Sequence, residues 1–109
     1  MFDVSSDATA TVIRVVGEID LATCGILART IDDASSQHAS LVVSFEDCTY
    51  VDSSCLGVLI RKRKRLGDAL LIVAKPSSQV SRIFAIAGLA EALDIRPSLD
   101  AALAAIASA

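Results

Sequence analysis

The sequence predicts an α/β fold in which about four helices cover a four- or five-stranded mixed sheet. Short β-branched or apolar runs alternate along the chain with amphipathic stretches, and several of these stretches follow a residue that can cap a helix. Such alternation is typical of parallel strands joined by right-handed helical crossovers. The chain has 109 residues, of which 53% are hydrophobic. We therefore expect one domain over residues 1–109, with a core of Val, Ile, Leu and Ala.

The first part of the chain predicts two strands and a helix. The opening residues alternate between apolar and polar side chains, and residues 9–16 are β-branched and mostly apolar. These two runs predict strands that pair antiparallel. Gly17 is expected to end the second strand. Asp20 is a good N-cap for a helix over residues 21–35, where apolar side chains recur every three or four positions.

The central part of the chain predicts a strand, a polar connection and a helix start. Residues 41–45 form an apolar run of the kind that is buried in a parallel strand. Residues 46–50 are mostly polar and predict a loop. Asp52, Ser53 and Ser54 then precede an apolar helical stripe, and such oxygen-bearing side chains are typical of N-caps. The positive end of a helix dipole stabilises anions, phosphate above all.

The second half of the chain predicts three more helices and two short strands. Each helix shows apolar residues at three- and four-residue spacing, and Ser or Pro-Ser precedes the last two. The predicted strands cover residues 70–74 and 93–95. The predicted helices cover residues 54–66, 78–87 and 98–107.

Acidic side chains are expected to surround a serine at one edge of the sheet. The loops that leave the second and third strands both enter helix N-termini, and neighbouring parallel strands bring such loops together. This would place Glu18, Asp20 and Asp52 near Ser54. Helix capping alone would also explain Asp52 and its neighbours, because caps require these residue types.

Two stretches resemble a known family. Residues 17–20 read GEID and residues 51–59 read VDSSCLGVL. Together they resemble the STAS family, specifically the bacterial anti-sigma factor antagonists, and the similarity extends over about residues 12–106. The resemblance implies a STAS-type fold and implies that Ser54 is phosphorylated by a partner anti-sigma factor with serine kinase activity. The family's usual glycine after this serine is Cys55 here.

The function implied by the resemblance is a partner switch. The unphosphorylated domain would bind the anti-sigma factor kinase and free a sigma factor, and phosphorylation would end this binding. The chain itself is expected to be a kinase substrate, not an enzyme, and to need no cofactor or metal. The residues expected to contact the partner surround the phosphorylated serine: Glu18, Asp20, Asp52, Ser53, Cys55 and Leu56.

Two other functions are open alternatives. One is a STAS docking module of a transporter or lipid-trafficking complex, which would act without phosphotransfer. The other is a redox-responsive interaction protein that uses Cys55, whose thiol a helix dipole could activate, alone or together with Cys48. Cys24 lies on an apolar helical stripe and is expected in the core. Three cysteines without a C-x-x-C spacing predict neither a disulfide framework nor a zinc site.

Composition and motifs argue against several other classes. The net charge of −3 disfavours nucleic acid as a partner. The basic run at residues 61–65 is expected to be a solvated helix end, and the alternative is a docking surface for an acidic partner. His38, the only histidine, is expected far from the serines, so a hydrolase triad is disfavoured. No apolar run is long enough to span a membrane, and residues 1–4 do not start a signal peptide. A cytoplasmic location is therefore expected.

Overall fold

The computed structural model describes residues 1–6, 9–36 and 39–108. Its five strands form one sheet in sequence order. They are β1 (Phe2–Ser6), β2 (Thr11–Ile19), β3 (Leu41–Val51), β4 (Leu70–Val73) and β5 (Ile95–Arg96). The helices are α1 (Leu21–Ser35), α2 (Leu56–Leu66), α3 (Gln79–Ile86) and α4 (Leu99–Ala107). β1 pairs antiparallel with β2 and the other neighbours are parallel, which confirms the predicted mixed α/β sheet.

The sheet is buried on both faces, and the strand register shows how. Ile13, Val43 and Ile72 are register partners on β2, β3 and β4, and they belong to the larger core cluster together with residues of α1, α2 and α3. The preceding residue of each strand points to the other face, where α4 covers it through the fully buried Ala102. Strands covered on both faces have no polar side, which explains the continuous apolar runs in the sequence.

β2 and β3 are longer than predicted. β2 continues through Gly17 to Ile19, and β3 continues through the predicted loop at residues 46–50 to Val51. The two strands stay paired because the register shifts twice along their length, and Gly17 takes a φ of +85° at the second shift. Glycine adopts this conformation without a steric penalty. The prediction that Gly17 ends its strand was wrong for this reason.

Helix boundaries lie within two residues of the predicted ones, with one change at α2. Ser53–Cys55 form a 3₁₀ turn, so the α-helix itself begins at Leu56 and not at residue 54. At its other end, the Arg63 guanidinium donates to the carbonyl oxygens of Gly67 (2.7 Å) and Leu70 (2.9 Å). Gly67 has a φ of +60° at the helix C-cap, a conformation that favours glycine. A second 3₁₀ turn, Gly67–Ala69, leads into β4.

The basic run in α2 is partly neutralised by the chain itself. Lys62 and Arg65 both pair with Asp32 of α1, whose carboxyl pKa is held below its ordinary value chiefly by the hydrogen bond from Lys62. Arg61 and Lys64 are exposed. The cations therefore point in several directions around the helix and do not form one continuous basic face. None of the described helices is long and apolar enough to cross a membrane.

This arrangement predicts very weak binding to nucleic acid. A net charge of −3 and a dispersed basic run offer few simultaneous phosphate contacts. Fluorescence anisotropy with labelled random duplex DNA at physiological salt should show no binding at micromolar protein. Binding whose salt dependence corresponds to several phosphate contacts would contradict this expectation.

Candidate functional site

The strand ends of β2 and β3 bring two helix starts together at one edge of the sheet. Ile19 and Val51 are paired at the last positions of the two strands. One residue later the Asp52 N–H donates to the Ile19 carbonyl oxygen at 2.9 Å. α1 begins two residues after Ile19, and the 3₁₀ turn that leads into α2 begins two residues after Val51. The two strand-to-helix turns therefore lie side by side, as the sequence predicts.

Asp20 caps α1 through a reciprocal capping box. Its carboxylate accepts the Thr23 backbone N–H at 3.0 Å, and the Thr23 hydroxyl accepts the Asp20 N–H at 3.0 Å. Both contacts satisfy donors at the start of the helix that would otherwise lack a partner. Asp20 is exposed. It therefore has a structural role and also contributes negative charge to the surface at this edge.

Removing the Asp20 cap should destabilise the protein by a measurable but modest amount. We expect Asp20→Ala to lower the free energy of unfolding by about 1 kcal/mol, the usual cost of a lost N-cap. Urea unfolding followed by circular dichroism would measure it. The matched control is Asp33→Ala, an exposed aspartate in the same helix whose loss should change stability by less than about 0.5 kcal/mol. Equal effects of the two substitutions would contradict the capping role.

Asp52 holds Ser54 through two hydrogen bonds. One carboxylate oxygen of Asp52 accepts both the Ser54 backbone N–H (2.9 Å) and the Ser54 hydroxyl (2.8 Å). These two bonds, the backbone one first, lower the pKa of Asp52, so the carboxylate is ionised at neutral pH. Ser54 is exposed. Its hydroxyl proton is directed to Asp52 while the oxygen faces solvent at a helix start, where an added anion is electrostatically favoured.

The surface beside Ser54 contains further acidic and apolar side chains. Glu18 and Ser53 are exposed, and Glu18 is paired across the strands with Tyr50. Two large apolar residues at this edge were missed at the sequence level. Leu21 is 72% exposed although it fits the apolar spacing predicted for the helix over residues 21–35, and Tyr50 is 41% exposed in a stretch predicted to be a loop. Single exposed apolar side chains are common on protein surfaces, so these two do not by themselves mark a binding site.

Cys55 and Leu56 differ from the other residues predicted to contact a partner. Both side chains are buried, with exposures of 0% and 6%. A partner that docks on this edge would meet their backbone and not their side chains. The Cys55 side chain, which replaces the family's usual glycine, therefore points into the core and does not cover the docking surface.

Cys55 is joined to Cys24 of α1 by a disulfide. Their Cα atoms are 5.4 Å apart, and the Cys55 sulfur lies 3.4 Å from the Asp20 carbonyl oxygen. Cys24 is buried, as predicted, but the prediction of no disulfide was wrong. The two residues are 31 positions apart, and only the pairing of β2 with β3 brings their helix starts into contact.

Comparison with known proteins identifies the family of this chain. The family model described as "Mlab, STAS domain" matches residues 2–97. The chain belongs to the STAS domain family. This STAS domain is 29% identical over 96 residues to the anti-sigma-B factor antagonist of Bacillus subtilis (strain 168), with 85% of this chain and 87% of that protein covered.

Solved structures of similar fold agree with this assignment. A crystal structure of an anti-sigma factor antagonist from Mycobacterium paratuberculosis superimposes with a TM-score of 0.87 at 25% identity, covering 98% of this chain and 93% of that one. SpoIIAA in its unphosphorylated form gives a TM-score of 0.79 at 21% identity, covering 100% and 98%. The phosphorylated form of Bacillus SpoIIAA gives 0.66 at 21% identity, covering 97% and 99%. The predicted STAS-type α/β fold is confirmed.

Cys48, the third cysteine of this STAS domain, takes no part in the disulfide. Cys48 is a free, buried thiol that donates to the Tyr50 carbonyl oxygen at 3.3 Å, and burial raises its pKa. The redox alternative paired Cys55 with Cys48, whereas in the structure Cys55 is bonded to Cys24. Among the residues described, no group of three or more His, Cys, Asp or Glu side chains could hold a metal ion. His38, considered for a triad, lies outside the described residues.

Proposed function

We propose that this STAS domain, residues 1–109, is an anti-sigma factor antagonist in the cytoplasm. It binds an anti-sigma factor that has serine kinase activity, which frees a sigma factor, and phosphorylation at Ser54 ends the binding. The observation that carries this proposal is the exposed Ser54 hydroxyl at a helix start, in a chain similar to proteins named as anti-sigma factor antagonists. The names of these relatives describe regulators and not catalysts. In this proposal the chain is likewise not an enzyme but the substrate of its partner kinase.

The local geometry favours Ser54 over Ser53 as the phosphate acceptor. Both residues are exposed. The Ser54 hydroxyl is oriented in the unbound domain by the hydrogen bond that it donates to Asp52, and this bond is released when the oxygen turns to the phosphoryl group in the kinase cleft. The Ser54 position is also the one that the family resemblance assigns. Both arguments select the same oxygen atom.

A phosphate on Ser54 would change the surface far more than the fold. It would add about −1.5 to −2 charges next to the ionised carboxylate of Asp52. The start of a helix tolerates negative charge, so the domain should stay folded. The surface already carries the exposed carboxylates of Glu18 and Asp20. A partner that fits this acidic edge would then meet excess negative charge and a strongly hydrated group, and would bind more weakly.

The test begins with capture of the partner from the native cell. Ser54→Ala should retain the kinase on a column because it cannot be phosphorylated, and the captured kinase with ATP should then add one phosphate to the wild-type chain. Peptide mass spectrometry should locate that phosphate on Ser54. Ser53→Ala is the matched control and should still accept phosphate. Capture of a transporter or ATPase subunit without phosphotransfer would instead support the docking-module alternative.

A further inference from the structure

We propose that Cys24 and Cys55 form a reversible redox clamp on the turn that carries Ser54. In the oxidised protein the disulfide holds this turn against α1, and in the reduced protein the turn can open. The predicted effect on phosphorylation rests on the function proposed above, whereas the clamp itself does not. Regulation of this kind would make the partner switch depend on the redox state of the cell.

The disulfide attaches directly beside the phosphate acceptor. Cys55 directly follows Ser54 and is the last residue of the 3₁₀ turn. Cys24 lies in the first turns of α1, and that helix is anchored in the core by Leu27 and Ile31, both with 0% exposure. The disulfide therefore ties the backbone next to the phosphate acceptor to a helix that is anchored in the core.

The turn is also held by the buried side chain of Cys55, which has 0% exposure, and by hydrogen bonds. The Asp52 carboxylate accepts from Ser54, the Cys55 N–H donates to the Asp52 carbonyl oxygen at 2.9 Å, and the Asp52 N–H donates to Ile19. Ser53 and Ser54 are exposed, so water can compete for the contacts of the Ser54 side chain. Because Ser53 and Ser54 are exposed, this part of the turn can open locally, and a covalent link from the next residue to a core helix restricts such opening.

The clamp closes with a two-electron oxidant such as a peroxide, which must reach the sulfurs while the turn is open because Cys24 and Cys55 are both buried in the linked form. One cysteine thiolate attacks a peroxide oxygen, the O–O bond breaks, and a sulfenic acid and one water are formed. The second sulfur then displaces the sulfenic hydroxyl as a second water, and the S–S bond forms. A dithiol reductant reverses the reaction by exchange and is itself oxidised to a disulfide. In reducing compartments, disulfides of this kind are usually transient and redox-sensing.

The direction of the effect follows from what phosphoryl transfer requires. The Ser54 oxygen must leave Asp52 and lie in line with the γ-phosphate inside the kinase cleft. A displacement of about 1 Å from the productive geometry can reduce a rate by roughly 100-fold. Because the clamp restricts movement of the adjacent residue, Cys55, the oxidised protein should be phosphorylated at least about tenfold more slowly than the reduced protein.

The experiment compares peroxide-oxidised and dithiothreitol-reduced protein, with the Cys24–Cys55 link verified by peptide mass spectrometry. Two rates are measured in each state: hydrogen exchange of the Ser54 and Cys55 amides, and phosphate transfer from the kinase captured on Ser54→Ala. Both should be about tenfold or more faster after reduction. Cys24→Ala cannot form the link and should respond to neither reagent, whereas Cys48→Ala keeps the link and should behave like the wild type.

Failure of the redox clamp and failure of the proposed kinase-substrate function give different results in this experiment. Equal amide exchange in the two states, or failure of peroxide to form the link, would overturn the clamp. Equal phosphorylation rates of the two states would overturn its control of the switch. If neither state accepts phosphate on Ser54 but the amides exchange faster after reduction, the proposed kinase substrate role fails and the clamp is supported.

Discussion

Reduction of the Cys24–Cys55 disulfide is expected to lower the free energy of unfolding by about 3–4 kcal/mol. The link joins residues 31 positions apart, and closing a loop between roughly 15 and 100 residues restricts the unfolded chain by about 3–5 kcal/mol. For a domain of this size the loss corresponds to a fall in melting temperature of roughly 10–20 °C. Urea unfolding of the oxidised and reduced protein, followed by circular dichroism, would measure it.

Two further observations would identify the crosslink as the cause. The dependence of the unfolding free energy on urea should become steeper after reduction, because the unfolded chain without the link exposes more surface. Cys24→Ala should have the same stability with and without reductant, whereas Cys48→Ala should lose as much stability on reduction as the wild type. A wild-type unfolding midpoint that does not move with reductant would contradict the structural role of the disulfide.

Negative charge at Ser54 is expected to weaken partner binding, by roughly 5- to 150-fold for a phosphate. This range corresponds to a coupling free energy of about 1–3 kcal/mol, the usual size for two linked events. The physical reason is that the phosphate adds to the carboxylates of Asp52, Asp20 and Glu18 at the same edge of the sheet. The dissociation constant of the captured kinase, measured by biolayer interferometry, reports the effect.

Variants of Ser54 separate the effect of charge from that of the lost hydroxyl. Ser54→Ala removes the side-chain bond to Asp52 but adds no charge, so it should bind the kinase constitutively. Ser54→Asp adds one negative charge and should bind less tightly than Ser54→Ala, by less than the full effect of a phosphate. Ser53→Asp is the matched control for a general charge effect and should weaken binding less than Ser54→Asp. Equal affinities of the three variants would argue against a charge-based switch.

The fold was predictable because local patterns and long-range pairing agree in this chain. The capping residue Asp20 and the three- and four-residue apolar spacing predicted helix positions within two residues of those observed. The antiparallel pairing of the first two strands also followed from local sequence. Such agreement is expected where the hydrophobic pattern and the capping residues indicate the same structure.

The features that were missed depend on contacts between distant segments. Residues 46–50 are polar, but pairing with β2 keeps them in a strand. Leu21 fits the helical spacing, yet it lies at the exposed start of α1, where no neighbouring element covers it. The Cys24–Cys55 link arises because two helices begin at the ends of paired strands. None of these contacts leaves a periodic signal in the sequence, although two cysteines placed near predicted N-caps are a pattern worth testing for proximity.

The measurement that tests the switch most directly is isothermal titration of the captured kinase with the wild-type protein before and after complete phosphorylation. Mass spectrometry of the same sample shows whether the single phosphate is on Ser54. The account predicts that the unphosphorylated protein binds and that the protein phosphorylated on Ser54 binds roughly 5- to 150-fold more weakly while remaining folded. Equal affinity of the two forms, or a phosphate located on another residue, would contradict it.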